Sequence, residues 1–128
     1  MNTTDLGRLG EAKVIAALTE LGWYVFTDLS GKCNVDLIIF RDGIVKTVQV
    51  KSSNSLANEF SWEVQLRSVR PNRTENKVVL WDSSKVDCLA VYLSGEDKVV
   101  LFDSTLIKNT STISIKRDSE TPTPEFLV

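Results

Sequence analysis

The segment at residues 35–51 reads VDLIIFRDGIVKTVQVK and carries the strongest local structural signal in the chain. Two runs rich in β-branched residues flank an Asp-Gly pair at residues 42–43, which favours the tight turn of a β-hairpin. Antiparallel pairing about this turn brings Asp36, at the start of one strand, near Gln49 and Lys51 at the end of the other. Since side chains alternate along a strand, Gln49 and Lys51 share one face. The hairpin therefore gathers one carboxylate, one amide and one ammonium group.

The chain before the hairpin predicts a helix followed by a strand. Apolar residues recur at roughly helical spacing from Leu6 to Leu18, and Gly22 supplies a stop. We expect the helix over about residues 4–21, a strand over residues 23–27 and a polar loop over residues 28–34. The N-cap candidates are Thr3, Thr4 and Asp5.

The chain after the hairpin predicts further short strands. Apolar and polar residues alternate over residues 60–66, which indicates a half-buried strand. Residues 67–77 are polar and basic and contain a proline, which predicts a surface loop. We expect a short helix capped by Asp103, and a tail over residues 119–124 that packs on another chain or stays loose. The remaining strands are expected at residues 78–81, 88–93, 99–102 and 112–115.

Length and composition indicate one domain, residues 1–128. Hydrophobic residues make up 42% and charged residues 25%, which is ordinary for a globular chain and argues against disorder. The start of the chain lacks the apolar run of a signal peptide, and no stretch approaches the ~20 apolar residues of a membrane helix. We expect a soluble, intracellular protein of the cytoplasm, without a membrane partner.

Missing and rare residue types exclude several kinds of site. The chain has two cysteines, Cys33 and Cys88, and no histidine. One chain therefore cannot assemble a four-ligand zinc site from cysteine and histidine, a Ser-His-Asp triad, a Cys-His dyad or a His-Asn-His nuclease site. The cysteines are expected to be free thiols. Hydrolytic chemistry is left to carboxylates, lysine and a bound metal.

The hairpin residues suit the chemistry that remains. A carboxylate and a neutral oxygen are ligands for a hard cation such as Mg²⁺, and a lysine can orient water and offset charge on a phosphorane-like transition state. Glu11, midway along the predicted helix among small residues, is a candidate second carboxylate. Each residue alone has a simpler interpretation, with Asp36 and Lys51 as an ion pair at a sheet edge and Glu11 as a solvated helix residue.

Taken in order, these residues resemble the PD-(D/E)XK nuclease family. The resemblance spans residues 7–53 and rests on GRLGE at residues 7–11, VDLI at residues 35–38 and QVK at residues 49–51. It implies an α/β fold with a restriction-endonuclease-like core, a mixed central β-sheet flanked by helices, and cleavage of DNA phosphodiester bonds with Mg²⁺, for which Mn²⁺ substitutes. The implied catalytic residues are Glu11, Asp36, Gln49 and Lys51, and the implied metal ligands are Glu11, Asp36, Gln49 and Val50.

Two positions depart from the family motif. Val35 replaces proline, which has little chemical weight, while Gln49 replaces an acid, which removes a negative charge and is expected to lower metal affinity. The Gln-x-Lys variant, the small size and the Gly-x-x-Gly-Glu helix are most similar to the intron-encoded homing endonucleases of restriction-enzyme fold. Two alternatives stay open, a Holliday junction resolvase and a non-catalytic DNA-binding or assembly module on the same fold.

Double-stranded DNA is the expected partner, although the net charge of −2 argues against nucleic-acid binding. Carboxylates around a metal ion are neutralised by it, which weakens that objection. Specific recognition by so small a chain implies a homo-oligomer, a dimer or tetramer, that repeats its contacts on two half-sites. The tryptophans are expected in the core or at a subunit interface. The candidate DNA-binding residues, each with a solvated surface charge or hydroxyl as its alternative, are Ser30, Lys32, Arg67, Arg70, Arg73 and Lys77.

Overall fold

The computed structural model describes residues 1–71, 76–79, 81–108 and 110–128, and at residues 68–71 and 76–79 it describes the backbone alone. Within these ranges the order of β-strands in the sheets is β1-β2-β3-β8-β9, β10-β5-β4 and β6-β7. The helix and strands are α1 (Thr3–Glu20), β1 (Tyr24–Phe26), β2 (Leu37–Arg41), β3 (Ile44–Ser53), β4 (Ser55–Asn58), β5 (Ser61–Gln65), β6 (Ser68–Pro71), β7 (Asn76–Val79), β8 (Cys88–Leu93), β9 (Lys98–Asp103) and β10 (Thr112–Lys116).

Helix α1 confirms the predicted helix but begins at a different cap. Its N-cap is Asn2, whose side-chain oxygen accepts a hydrogen bond from the backbone N–H of Asp5 at 2.8 Å. Asparagine caps at least as well as threonine, so the helix starts earlier and the predicted caps Thr3, Thr4 and Asp5 fall inside its first turn. The chain leaves the helix through Gly22, whose φ of 91° suits glycine.

The β2–β3 hairpin confirms the prediction from residues 35–51. Asp42 and Gly43 have φ angles of 51° and 79°, and a two-residue type I′ turn requires positive φ at both central positions. Strand β3 also pairs in parallel with β8, whose residues are all buried. The central sheet is therefore mixed, and the α/β fold is confirmed.

Two apolar cores lie on opposite faces of the central sheet and share β8. Burial of each Val, Leu or Ile side chain contributes about 1.5–3 kcal/mol to folding. The first core packs α1 on the sheet and includes Val14, Leu18, Leu37, Ile39, Val48, Cys88 and Ala90. The second core packs the small sheet β10-β5-β4 on the other face and includes Trp62, Val64, Leu89, Val91, Leu93, Val100 and Ile115. Among the described elements, α1 thus flanks one face of the central sheet and the small sheet covers part of the other.

The prediction of a loop over residues 67–77 was wrong where β6 and β7 form. These strands pair antiparallel, with Arg70 opposite Lys77. Backbone pairing across a short connection needs no apolar alternation, so the polar composition concealed the strands. Strand β4 was not predicted because its four residues are all exposed and none marks a buried face. The predicted strands at β5, β8, β9 and β10 and the short helix capped by Asp103 are confirmed.

The C-terminal tail packs on its own chain, contrary to the prediction of a loose tail or one that packs on another chain. Lys98 Nζ donates a hydrogen bond to the carbonyl oxygen of Ser119. Leu127 is fully buried in the first core, and its carbonyl oxygen accepts a hydrogen bond from Trp23 Nε1 at 2.8 Å. The tail therefore contributes Leu127 to the first core, against which α1 packs.

The tryptophans and cysteines lie where the sequence predicts. Trp23, Trp62 and Trp81 are buried. Cys33 is exposed, Cys88 is buried, and both are free thiols. Burial raises the pKa of the Cys88 thiol to about 12, so this thiol stays protonated and inert. Within the described ranges, no helix has the length and apolar composition needed to cross a membrane.

Candidate active site

Three segments that are distant in sequence meet at a cavity of about 430 Å³. Helix α1 contributes Glu11, the residue before β2 is Asp36, and β3 contributes Lys51 close to its end. The structure thus brings three of the four predicted catalytic residues to one cavity. Its lining consists of Thr3, Thr4, Leu6, Gly7, Arg8, Glu11, Asp36, Val50, Lys51 and Ser52.

The carboxylate of Asp36 is fixed by the backbone of the neighbouring strand. Its Oδ2 accepts a hydrogen bond from the backbone N–H of Val50 at 2.8 Å. The side chain of Val50 packs against the first core. The group that Val50 can offer a cation is therefore its backbone carbonyl oxygen.

Gly10 allows α1 to approach β3 closely, which brings Glu11 to the cavity. A Cβ atom at Gly10 would lie 1.8 Å from Ser52 Oγ and 3.3 Å from the Cβ of Tyr92. Ser52 Oγ is itself buried and lacks a hydrogen-bond partner among the described residues. A Cβ at Gly7, in contrast, would meet nothing within 4 Å. Of the two glycines in the motif, Gly10 is the one at which the helix contacts the sheet.

Burial shifts the pKa values of Glu11, Asp36 and Lys51 in the direction that favours the neutral form of each side chain. The pKa of Glu11 is raised by burial and then by the charge of Asp36. The pKa of Asp36 is raised by burial, against the opposing effects of the Val50 N–H and of Lys51. The pKa of Lys51 is lowered by burial, which the charge of Asp36 partly offsets. Two carboxylates whose pKa values are raised by burial form a site that a divalent cation would stabilise, because the cation favours their charged forms.

The donors at the cavity fit a small, hard cation. Mg²⁺ usually takes one or two protein carboxylates and fills its remaining positions with water and phosphate oxygens. Glu11 and Asp36 supply the two carboxylates, and Val50 supplies a carbonyl oxygen. The described residues hold no group of three or more histidine, cysteine or acidic side chains that could bind a metal. Water and the DNA backbone would therefore have to provide most of the ligands.

Gln49 lies on the same strand but is not among the residues that line the cavity. The register pairs Gln49 with Leu89 and Lys51 with Val91, so Gln49 and Lys51 share one face of β3, as predicted. That face belongs to the second core, and Gln49 is half-buried there. Its assignment as a metal ligand stays a prediction.

The exposed loop before Asp36 carries two of the candidate DNA contacts, Ser30 and Lys32. The carboxylate of Asp28 organises this loop by accepting hydrogen bonds from the backbone N–H groups of Ser30, Lys32 and Cys33 and from Ser30 Oγ. These hydrogen bonds lower the pKa of Asp28. The loop therefore presents the Ser30 and Lys32 side chains to solvent from a defined backbone conformation.

The other candidate DNA contacts lie at or near the β6–β7 hairpin. Arg67 is exposed just before β6. Arg70 and Lys77 occupy paired positions on β6 and β7, and Arg73 lies outside the described residues. Contact of these four residues with DNA stays a prediction.

Six residues that line the cavity received no site role from the sequence: Thr3, Thr4, Leu6, Gly7, Arg8 and Ser52. Arg8 precedes Glu11 by three residues, a spacing that places two side chains on one side of a helix, so helical spacing was the signal that could have found it. The Arg8 guanidinium lies 3.8 Å from the carboxylate of Asp5, and its side chain is largely exposed.

Comparison with known proteins gives a family and a fold. The sequence model of the PD-(D/E)XK endonuclease family matches residues 1–124. Among solved structures, the chain is similar to the bacterial homing endonuclease I-Ssp6803I, with a TM-score of 0.77 and 24% sequence identity. That match covers 98% of this chain and 86% of the other, and at this identity it shows the fold alone. No curated protein matches the chain.

Proposed function

Since this chain belongs to the PD-(D/E)XK endonuclease family, we propose that it is a Mg²⁺-dependent, site-specific homing endonuclease of the intron-encoded type. Family membership makes it an endodeoxyribonuclease that binds DNA. The metal, the target and the assembly belong to the proposal. The observation that supports it best is the single cavity shared by Glu11, Asp36 and Lys51.

We assign two roles to Lys51: it orients the attacking water, and it stabilises the negative charge that develops on the phosphate. Lys51 is half-buried, it lines the cavity with Asp36, and the charge of Asp36 acts on it. Its N–H groups can orient a water molecule and then donate to the phosphate oxygens as negative charge builds on them. Because the protein holds this donor in place before reaction, little reorganisation is needed at the transition state.

Asp36 and Glu11 are the residues we assign to the cation. The Val50 N–H fixes the carboxylate of Asp36, and the close approach of α1 at Gly10 brings Glu11 to the cavity. When bound, the cation supplies positive charge and Lewis acidity against the scissile phosphate. Mn²⁺ should substitute for Mg²⁺ because it accepts the same oxygen ligands.

The homing role is favoured over the alternatives by two observations. The Gln49-Val50-Lys51 triplet resembles the motif variant of the homing type, and a solved structure with a similar fold is that of a homing endonuclease. A long duplex target requires contacts on two half-sites, so we propose a dimer or tetramer in which two copies repeat the same contacts.

Selection of cleaved sites tests this function directly. The protein is incubated with Mg²⁺ and a randomised duplex library, and in parallel with synthetic four-way junctions. We expect cleavage of one long duplex site and no preference for junctions. Cleavage of junctions with little sequence preference would replace the homing role with Holliday junction resolution. If neither substrate is cut with Mg²⁺ or Mn²⁺, while DNA still binds, the non-catalytic module replaces the enzyme.

Gln49→Glu tests the role of the residue that departs from the family motif. The added carboxylate increases the negative charge near Asp36, so we expect Mg²⁺ affinity to stay equal or to rise by up to about tenfold, or 1.4 kcal/mol. Calorimetric titration of the protein with Mg²⁺ measures this. Gln65→Glu, at an exposed position on β5, controls for the change in net charge. A folded Gln49→Glu variant that no longer binds Mg²⁺ would show that Gln49 is not a ligand.

A further inference from the structure

Among the residues that the structure describes, none covers one face of the central sheet over β1, β2 and the start of β3. Leu37 and Ile39 point to α1 in the first core. Because side chains alternate along a strand, their neighbours point the other way. The side chains on that other side, which we call the open face, are Tyr24, Phe26, Ile38, Phe40, Val45 and Thr47.

The open face is continuous and mostly apolar. The register aligns Tyr24 with Phe40 and Val45 in one row, and Phe26 with Ile38 and Thr47 in the next. Adjacent rows on one sheet face are in contact distance of each other. The five apolar side chains are between 40% and 69% exposed.

The rest of the same sheet side is covered by the chain itself. On β8 and β9 this side carries Leu89, Val91 and Val100, which pack against the small sheet in the second core. Its cover does not extend over β1 and β2, whose outward residues stay exposed among the described residues. The open face is thus the uncovered continuation of a packed surface.

The chemistry of the open face suits a second copy of this chain and not DNA. None of its six side chains carries a charge at neutral pH, whereas a surface that binds phosphates needs lysine or arginine. Two identical uncharged surfaces meet without repulsion. Three of the six residues are aromatic, and the centre of a protein interface is enriched in aromatic residues and depleted of charged ones.

The size of the open face also suits the apolar centre of a dimer interface. At these exposures the five apolar side chains present roughly 400–500 Å² of surface, at the upper end of what monomers leave exposed. A standard interface buries about 800 Å² on each partner, with an apolar centre and a polar rim. The open face could supply such a centre.

From these observations we infer that two copies of this chain associate through the open face. The choice of a second copy rests in part on the proposed function, which needs two half-site contacts. None of the residues that line the candidate active site belongs to the open face. Association through the open face therefore uses no residue that lines the cavity.

Sedimentation velocity of the protein over a range of concentrations, without DNA or metal, tests the inference. The variants are Tyr24→Lys and Val45→Lys, at the two most exposed apolar positions of the open face, where a lysine leaves both cores intact. We expect the wild type to sediment as a dimer or a multiple of one, and each variant to weaken association at least tenfold. Phe60→Lys, which changes an exposed aromatic residue outside the open face, should sediment like the wild type.

The outcomes separate this inference from the function. A monomeric wild type at 100 µM overturns the inference, and if that monomer co-sediments with phosphatidylcholine vesicles the open face instead binds lipid. Association that survives in both lysine variants also overturns it. Because mass is measured without cleavage, a dimer that cuts no DNA contradicts the proposed nuclease activity and leaves this inference standing. A monomer that cuts DNA contradicts this inference and the proposed assembly and leaves the proposed nuclease activity standing.

Discussion

Lys51→Ala is expected to reduce single-turnover cleavage about 10²- to 10⁴-fold, the range seen when one positioned proton donor or charge donor is removed from an active site. DNA binding should change little, because the residue acts on the water and the developing charge. Stability should also change little, because burial disfavours the charged form of Lys51, as its lowered pKa shows. Single-turnover rates on the selected site, together with DNA binding without added Mg²⁺, measure both effects.

Lys46→Ala is the matched control for this loss. Lys46 lies on the same strand, β3, but its ammonium lies 5.2 Å from the ring centroid of Phe126. Lys46 does not line the cavity. Its removal deletes the same charge from β3 and should leave the cleavage rate within about threefold of wild type. A Lys51→Ala variant that keeps more than a tenth of the wild-type rate would remove Lys51 from the mechanism.

Gly10→Ala is expected to destabilise the protein by about 1–3 kcal/mol, although alanine ordinarily favours a helix interior. The new Cβ would lie 1.8 Å from Ser52 Oγ and 3.1 Å from the Cβ of Ser52, so the Ser52 hydroxyl must rotate away and α1 must shift from β3 by a few tenths of an ångström. The movement displaces Glu11 as well, and a displacement of about 1 Å in an active site can cost 10²-fold in rate. Urea denaturation and single-turnover cleavage measure the two effects.

Two further variants test which contact destabilises the Gly10→Ala protein. Gly7→Ala should stabilise the protein by about 0.5–1 kcal/mol, because a Cβ there meets no atom within 4 Å. The double variant Gly10→Ala with Ser52→Ala should recover part of the lost stability, since it removes the nearest clashing atom. If Gly7→Ala and Gly10→Ala have the same effect on stability, the close approach of α1 to β3 is not what the glycine provides.

The sequence predicted those parts of the fold that local chemistry determines. The Asp42-Gly43 turn specifies its own backbone conformation, and strict pairing about it sets the register that brings Asp36 near Lys51. Helical spacing and Gly22 likewise bounded α1. These signals act over a few residues, so they could be recognised without knowledge of the rest of the structure.

The parts that the sequence did not predict depend on contacts between distant segments. Strand β4 is fully exposed and pairs through its backbone with β5, which no apolar pattern records. The C-terminal tail packs on its own chain because Leu127 is buried in the first core beside Trp23. At the site, Gln49 shares its strand face with Lys51 but does not line the cavity, and the alternation of a strand could not distinguish the two.

Strand β8 also governs when the molecule can fold. It contributes Cys88 and Ala90 to one core and Leu89, Val91 and Leu93 to the other, and it pairs in parallel with β3. Neither core can close before β8 has been synthesised, so the nascent chain carries α1 and the hairpin for a time with an unpaired strand edge. Such non-local pairing slows folding and exposes the chain to aggregation. Slow translation after residue 93 would give β8 time to pair, and strong expression at high temperature should favour inclusion bodies.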